Sequence, residues 1–415
     1  MDRVVEMADG SMTVLGPSRS IPENRSAFES AEDRGDQSTD GLHLFIDATA
    51  VGQRLTGLER YSREVTGALW SIAREKSLRL TILAGKRDTW TDFLMPFPGG
   101  MVLRSPVESR LLTDHLWVPF QVARLRPSHT FFPAFAPSPF IFISNAHSMR
   151  TIHDTVLWEF PETVSWKASF YFRPLENFGL DRYRTIFTVS QRARGDLCRI
   201  FPSLSGHIFN AGNGLNESWY CSPTGEDLEI NRRKFHLSGP FLLFVGTLEP
   251  RKNIPFLVKV FAQILPSFPE LKLVLVGRRG WGYPEILAAI QGENMADHVI
   301  WLKGVDDESL RSLYRMASLF VYPSFNEGFG LPLVEAMACG LPIVASPEAA
   351  SPDVAGQAVV LCPLGDSEAW RKAVTTLLNR PEERARMSAE GLAQSQAFRW
   401  STVAENILSR VLWGQ

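Results

Sequence analysis

The chain has 415 residues and four cysteines, Cys198, Cys221, Cys339 and Cys362, scattered and without any C-x-x-C. Neither a zinc ribbon nor a disulfide framework is suggested. No apolar run reaches the ~18 residues of a membrane helix. The most aromatic stretch, 130–144, is interrupted by Pro133, Pro137 and Pro139. The opening MDRVVEMADGSM lacks the charged-then-apolar layout of a secretory signal. No sign of charge dominates: the formal net charge is −2. A global basic field that would mark a nucleic-acid binder is therefore absent. The dinucleotide fingerprint G-x-G-x-x-G is missing as well.

What is present is an ordinary globular balance, 45% hydrophobic and 21% charged. At ~150 residues per domain the length allows two to three domains. Charge is uneven along the chain. Residues 1–40 carry net −5, residues 41–225 net +5 and residues 226–415 net −2. The first segment is rich in Ser, Gly, Asp and Glu and reads as a disordered tail over 1–41, with Met7 and Met12 as alternative starts. The basic middle segment reads first as a solvated face and second as a face for acidic acceptors or anionic lipid.

From Leu42 the pattern is regular. LHLFIDAT, LRLTILAG (78–85), SHTFFPA (128–134), MRTIHD (149–154), TIFTVS (185–190) and HIFNAGNG (207–214) read as strands, with an amphipathic helix from about Gly57 to Arg74. After a polar stretch the pattern restarts with FLLFVGTL (241–248), LKLVLVG (271–277), HVIWLKG (298–304), LFVYPS (319–324), LPIVAS (341–346) and AVVLCP (358–363). Unbroken apolar strands alternating with helices mean parallel sheets covered on both faces. The expected fold class is α/β, with two Rossmann-like doubly wound domains at 42–225 and 226–395 and a final helix, 396–415, returning to the first. Ligands of such sheets bind at the carboxyl ends of the strands, here expected across a cleft between the domains.

The most informative segment is Glu327-Gly-Phe-Gly-Leu-Pro-Leu-Val-Glu335, at a strand-to-helix junction. Pro332 suits a first helical turn and Gly340 a helix end. Gly328 and Gly330 permit close approach of a ligand to backbone amides at a helix N-terminus, an anion site. Glu327 and Glu335 are placed to accept hydrogen bonds from the diols of a ribose or a sugar. The alternative is a first-turn charge and a solvated loop carboxylate. The second segment is Val245-Gly-Thr-Leu-Glu-Pro-Arg251-Lys252-Asn253, following a strand. Two cations opening a helix oppose its dipole, so their placement makes sense when they face an anion.

These two segments resemble the retaining glycosyltransferases of family 4, whose paired glutamates are embedded as in EGFGLPLVEAMACGLPIVAS. The likeness covers about residues 42–415. It implies the GT-B fold, two facing Rossmann-like domains. It also implies a nucleotide diphosphate sugar as co-substrate and no further cofactor. Arg251 and Lys252 match the diphosphate-binding cations, Glu335 the ribose ligand. Glu327, with Gly328, Phe329, Gly330 and Leu331, matches the sugar and phosphate contacts. Gly246 ends the strand before them, followed by Thr247 where many members carry Arg. His153, in Thr151-Ile-His153-Asp154, resembles the family's His-Asp pair near the donor sugar, with Asp154 orienting it or meeting the acceptor. Taken alone, a single histidine is as often structural.

Asp47-Ala-Thr-Ala-Val-Gly-Gln-Arg-Leu-Thr56-Gly57-Leu-Glu-Arg-Tyr61 resembles the family's first glycine-containing loop, which gives Thr56 and Gly57 as phosphate or acceptor contacts. Glu59 stands where many relatives have a second glycine. Ser190 reads as a helix cap or a hydroxyl contact, and Asn213-Gly214 as a turn. Arg278 in Gly277-Arg-Arg-Gly-Trp281-Gly, and Gly304-Val305, are candidates for the base and phosphates. No D-x-D occurs, so the metal–diphosphate device of the other large transferase fold is absent and no metal site is implied.

TLEPRKN and VGRRGWG look like bacterial polysaccharide enzymes, many of which use GDP-mannose. The resemblance favours a cytoplasmic mannosyltransferase acting on a glycan or lipid-linked oligosaccharide. The basic, aromatic segment 110–127 is a candidate for peripheral contact with the inner membrane surface, against ordinary packing, which Pro119 favours. A non-catalytic scaffold binding a nucleotide or partner transferase, or another GT-B enzyme such as an epimerase, stands as the alternative.

Overall fold

The computed structural model describes residues 5–8, 11–14, 41–51, 57–159, 177 and 179–413. The chain forms two compact units. One comprises 21–214 with 399–415, the other 1–20 with 215–398. Strands β1 (Val5–Ala8) and β2 (Ser11–Val14) form an antiparallel hairpin that joins the second unit's sheet, with Glu6 opposite Leu361. A disordered tail over 1–41 is thus corrected at its start. Residues 15–40 lie outside the described residues.

In the first unit the elements are β3 (His43–Ala48), α1 (Gly57–Glu75), β4 (Arg79–Ala84), β5 (Gly100–Arg104), α2 (Val118–Leu125), β6 (His129–Phe132), β7 (His147–Ile152), β8 (Thr185–Thr188), α3 (Gln191–Ile200) and β9 (Ile208–Asn210). The strands pair in the order β5-β4-β3-β6-β7-β8-β9, all parallel. Sequence reading missed β5, whose mostly half-exposed pattern marks an edge. The core gathers Phe45, Leu83, Val122, Phe132, Ile186 and Ile208, all essentially inaccessible. Each such side chain contributes about 1.5–3 kcal/mol on burial.

The second unit continues with α4 (Gly225–Lys234), β10 (Phe241–Val245), α5 (Ile254–Ile264), β11 (Lys272–Val276), α6 (Tyr283–Gly292), β12 (Val299–Leu302), α7 (Asp307–Met316), β13 (Leu319–Tyr322), α8 (Leu331–Ala338), β14 (Ile343–Ala345), β15 (Val359–Leu361), α9 (Ser367–Asn379) and α10 (Pro381–Ser395). Its sheet runs β12-β11-β10-β13-β14-β15-β1-β2. The change of unit falls at 214/215 rather than 225/226. Residues just after it already belong to the second core: Trp219 meets Tyr314 edge-on, and Leu215 N–H donates to the Phe398 carbonyl.

The last helix, α11 (Trp400–Trp413), lies along α1 in the first unit. There Trp400 packs edge-on to Tyr61, and Asn406 donates to the Ala211 carbonyl at 3.1 Å. In both sheets the order reverses beside the first strand, between β3 and β6 and between β10 and β13. A reversal of this kind opens a crevice at the strands' carboxyl ends.

Candidate active site

At the β10/β13 reversal, chain segments from the two strands meet over a buried ion cluster. β10 ends at Val245, and the chain returns through a tight turn at Pro250–Lys252. Asn253 then adopts a left-handed conformation, and α5 begins only after it. Arg251 and Lys252 therefore precede the helix rather than opening it, and the dipole argument for their placement is corrected. A cluster of carboxylates and hydroxyls is what holds them.

Lys252, 6% exposed, donates to the Tyr322 hydroxyl at 2.7 Å and forms a very close ion pair with Glu327. Arg251 spans two carboxylates. It donates to Glu327 Oε2 at 3.2 Å and, through Nε and Nη2, to Glu249 Oε1 at 3.2 and 3.0 Å. Its Nη1 also reaches the Asn326 carbonyl at 2.7 Å. Glu327, 8% exposed, further accepts from Ser324 Oγ at 2.7 Å and from the Tyr322 hydroxyl at 3.1 Å. Burial alone would raise the Glu327 carboxyl. The Arg251 and Lys252 charges and the hydrogen bonds overcome it and hold the group at about 2, against an ordinary 4.5. Burial and the Arg251 charge press the Lys252 ammonium downward, against the pull of Glu327.

Backbone geometry brings the strand ends together. A Cβ on Gly277 would stand 1.9 Å from the Gly246 carbonyl oxygen, so only glycine permits this contact between the ends of β10 and β11. Gly330, with φ +90°, precedes α8, where a Cβ would lie 2.8 Å from the Ala349 carbonyl. No side chain caps α8. Its first-turn amides follow Gly328, Phe329, Gly330 and Leu331, which suits an anion. Phe329 itself is core, edge-on to Phe398. Glu335, 4% exposed on α8, accepts from the Tyr314 hydroxyl at 2.9 Å.

Around this cluster, Arg278 is exposed and reaches Thr247 Oγ1 at 3.5 Å. Gly304 and Val305 follow β12, the outermost strand on that side, with Gly304 at φ +64°. The structure thus brings Arg251, Lys252 and Glu327 into contact, places Gly246 beside them and sets Glu335 on its own tyrosine. Sequence reading missed Tyr322, Ser324, Glu249 and Tyr314. The signal for Tyr322 was there, a hydroxyl ending the apolar strand LFVYPS.

The remaining predicted residues sit in the first unit, at its own reversal. His153 follows β7, its Nε2 bonded to the Pro133 carbonyl at 2.8 Å and its ring edge-on to Tyr61 at 4.6 Å. With the carbonyl as acceptor, Nε2 carries the proton. Asp154 Oδ1 accepts from the Val156 N–H at 3.2 Å. Asp47, at the end of β3, accepts from Thr49 N–H at 3.0 Å and its hydroxyl at 2.6 Å. Burial and the nearby Asp114 raise Asp47 to about 6, the Thr49 hydrogen bonds and Arg110 opposing. Gly57 opens α1 and is exposed; Thr56 lies outside the described residues. Ser190 caps α3, accepting from Ala193 N–H at 3.0 Å, which is the cap reading.

A family model, glycosyl transferases group 1, matches residues 227–394, the stretch that builds the ion cluster. The O-antigen chain mannosyltransferase B of Escherichia coli is 32% identical over 256 residues, 61% of this chain and 67% of that protein. The chain is a group 1 glycosyltransferase. The serotype-specific mannosyltransferase WbdA of Escherichia coli is 28% identical over 250 residues, 57% of this chain. This chain matches only 29% of WbdA's length. Among solved structures, a glycosyltransferase from Rickettsia africae superposes with a TM-score of 0.69 at 12% identity, covering 91% of this chain and 100% of that one. The fold of this group 1 chain is GT-B, α/β with two parallel-stranded sheets. Among the described residues no helix is long and apolar enough to cross a membrane.

Proposed function

We propose that this glycosyltransferase moves mannose from GDP-mannose to a hydroxyl of a glycan or lipid-linked oligosaccharide in surface polysaccharide synthesis, with retention at the anomeric carbon. The observation that carries the proposal is the Arg251–Lys252–Glu327 cluster at the β10/β13 reversal. Two cations there offset charge that grows on a departing diphosphate, a transition-state effect. Their electrostatic role makes an obligatory metal unnecessary. Glu327 and the amides that open α8 hold the sugar and phosphates, and Glu335 holds the ribose diol. Gly246, Arg278, Gly304 and Val305 border the phosphates and base. For the first unit the proposal keeps the roles that the family resemblance implies: His153 for the donor sugar, Asp154 for its orientation or the acceptor, and Thr56 and Gly57 for the phosphates or acceptor. In a retaining transfer that uses no protein nucleophile, the bond from the anomeric carbon to the phosphate oxygen breaks, that oxygen takes the acceptor proton, and the new glycosidic bond forms on the same face. The relatives named for mannosyl transfer support the choice of sugar.

Peripheral contact with the cytoplasmic membrane face belongs to the same proposal. Leu112, Leu116 and Phe120, spaced by four residues, are all exposed, with Arg124 next in the row, while Thr113, Val118, Gln121 and Val122 face inward. An apolar stripe ending in a cation suits an anionic lipid surface.

A thermal-shift panel with GDP, UDP, ADP and TDP, with and without EDTA, tests the donor. Ligand binding to the native state raises its stability by mass action. The expected outcome is a GDP-specific shift that survives EDTA. A UDP-specific shift discards mannose, and no shift with any nucleotide removes the donor site.

A further inference from the structure

At the opposite end of α8 from the ion cluster lies a cavity of about 350 Å³. It opens among the C-terminal ends of α7 and α8, the starts of β13 and β14, and α10. Its walls include Tyr314, Arg315, Ser318, Cys339, Arg384 and Ser388. The volume is at the small end of ligand sites and suits one monosaccharide-sized molecule. Two arginines and two serines are among its lining residues, and among the described residues no acidic one lines it. Arg315 Nη2 donates to the Ala338 carbonyl at 3.3 Å, and its guanidinium lies beside the Cys339 thiol. Two arginines with no acidic residue beside them in the lining favour an anion over a cation or a neutral ligand. Arg384 is held at the rim, its Nη1 on the Leu377 and Leu378 carbonyls at 2.5 and 2.7 Å.

Tyr314 connects this cavity to the donor side. Tyr314 borders the cavity, and its hydroxyl reaches Glu335 Oε2 at 2.9 Å. Helix α8 makes the same connection, since Arg315 holds its last turn and Glu335 lies one turn further in.

We propose that this cavity is a second binding site, for the phosphate group of a small phosphorylated sugar or for free phosphate, and that its occupancy changes nucleotide affinity through Tyr314 and Glu335. The binding half stands without the donor assignment; the coupling half rests on the role given to Glu335. Coupling of this kind is reciprocal, so nucleotide and anion must change each other's affinity by one factor.

Titration calorimetry on the full chain tests it, with glucose 6-phosphate, inorganic phosphate and glucose as probes. Lys252→Ala is the background, so that phosphate binding at the ion cluster is weakened. One saturable phosphate-dependent site is expected. Arg315→Gln should weaken it about tenfold or more, the scale of losing one charge-assisted hydrogen bond. Ser388→Glu, on the α10 wall of the cavity, should do the same by repulsion and leaves the guanidiniums in place should Arg315→Gln misfold. Tighter binding of the ester assigns the site to a sugar phosphate; equal affinity assigns it to free phosphate. Binding unchanged by both substitutions overturns the site.

For coupling, GDP affinity of the unsubstituted protein is measured with and without saturating probe. A severalfold change is expected, abolished in Tyr314→Phe, which keeps the ring and still binds the probe. GDP affinity that the probe leaves unmoved overturns the coupling. GDP that fails to bind at all instead overturns the donor assignment and leaves the calorimetric result standing.

Discussion

The two order reversals, one per sheet, carry a buried and a half-buried carboxylate with opposite electrostatics. At β10/β13, Glu327 is held at about 2. At β3/β6, Asp47 is raised to about 6. Burial pushes both upward. The difference is the company. Glu327 meets two cations and two hydroxyls, whereas Asp47 meets Thr49 and a second carboxylate, Asp114, with Arg110 shared between the acids. Position in a fold supplies a crevice, and the flanking loops decide whether it holds charge or expels it.

The contrast is broken most strongly by removing a cation. Lys252→Ala should lower the transfer rate by about 10²–10³, the usual loss for one charge-stabilising donor. Glu327→Ala should cost at least about tenfold. Both are read as kcat with GDP-mannose, and normal turnover in folded variants would remove the site assignment.

Next in size is the acid limb of stability. Because the folded-state Glu327 lies below its ordinary 4.5, its contribution is complete above that pH and drains away as pH falls toward 2. The amount is about 3 kcal/mol. Denaturant titrations from pH 5 to 2.5 should show a shallower decline in Glu327→Gln than in the parent; parallel curves would contradict the ion pair.

Asp47 should behave oppositely. Its folded-state value exceeds the ordinary 3.8, so the folded chain retains the proton and stability falls as pH rises through about 6. Asp47→Asn should stabilise at pH 8 by about 1–2 kcal/mol, discounted for partial exposure, and change little at pH 4. An equal effect at both pH values would place the cause elsewhere. Smallest is Tyr322→Phe, which deletes the hydroxyl between Lys252 and Glu327. A loss of about 1 kcal/mol, roughly fivefold in rate, is expected.

Much of this was legible in the chain. Uninterrupted strands such as FLLFV and KLVLV need cover on both faces, and their alternation with helices dictated two parallel sheets. Arg251 and Lys252 were found through a helix-dipole argument that the structure corrects, and both, like Glu327, through the resemblance to a family's motifs. Tyr314 and Tyr322 were not, because a tyrosine in an apolar run looks like core until its hydroxyl has a partner. β5 escaped because GMVLR at an edge lacks a buried face. The hairpin at β1 and β2 escaped because an acidic, serine-rich surrounding hides two four-residue strands.

The pairing of Arg251 and Lys252 with Glu327 and Glu249 has a kinetic consequence. These four groups sum to zero charge, so the cluster itself casts little long-range field. If the proposed donor site is right, an arriving diphosphate is not drawn in from afar by these four groups and takes the cations over by partner exchange at contact range. Its association rate should then respond weakly to ionic strength, unlike that of a bare basic cleft, while its departure is assisted by carboxylates waiting to reclaim the cations.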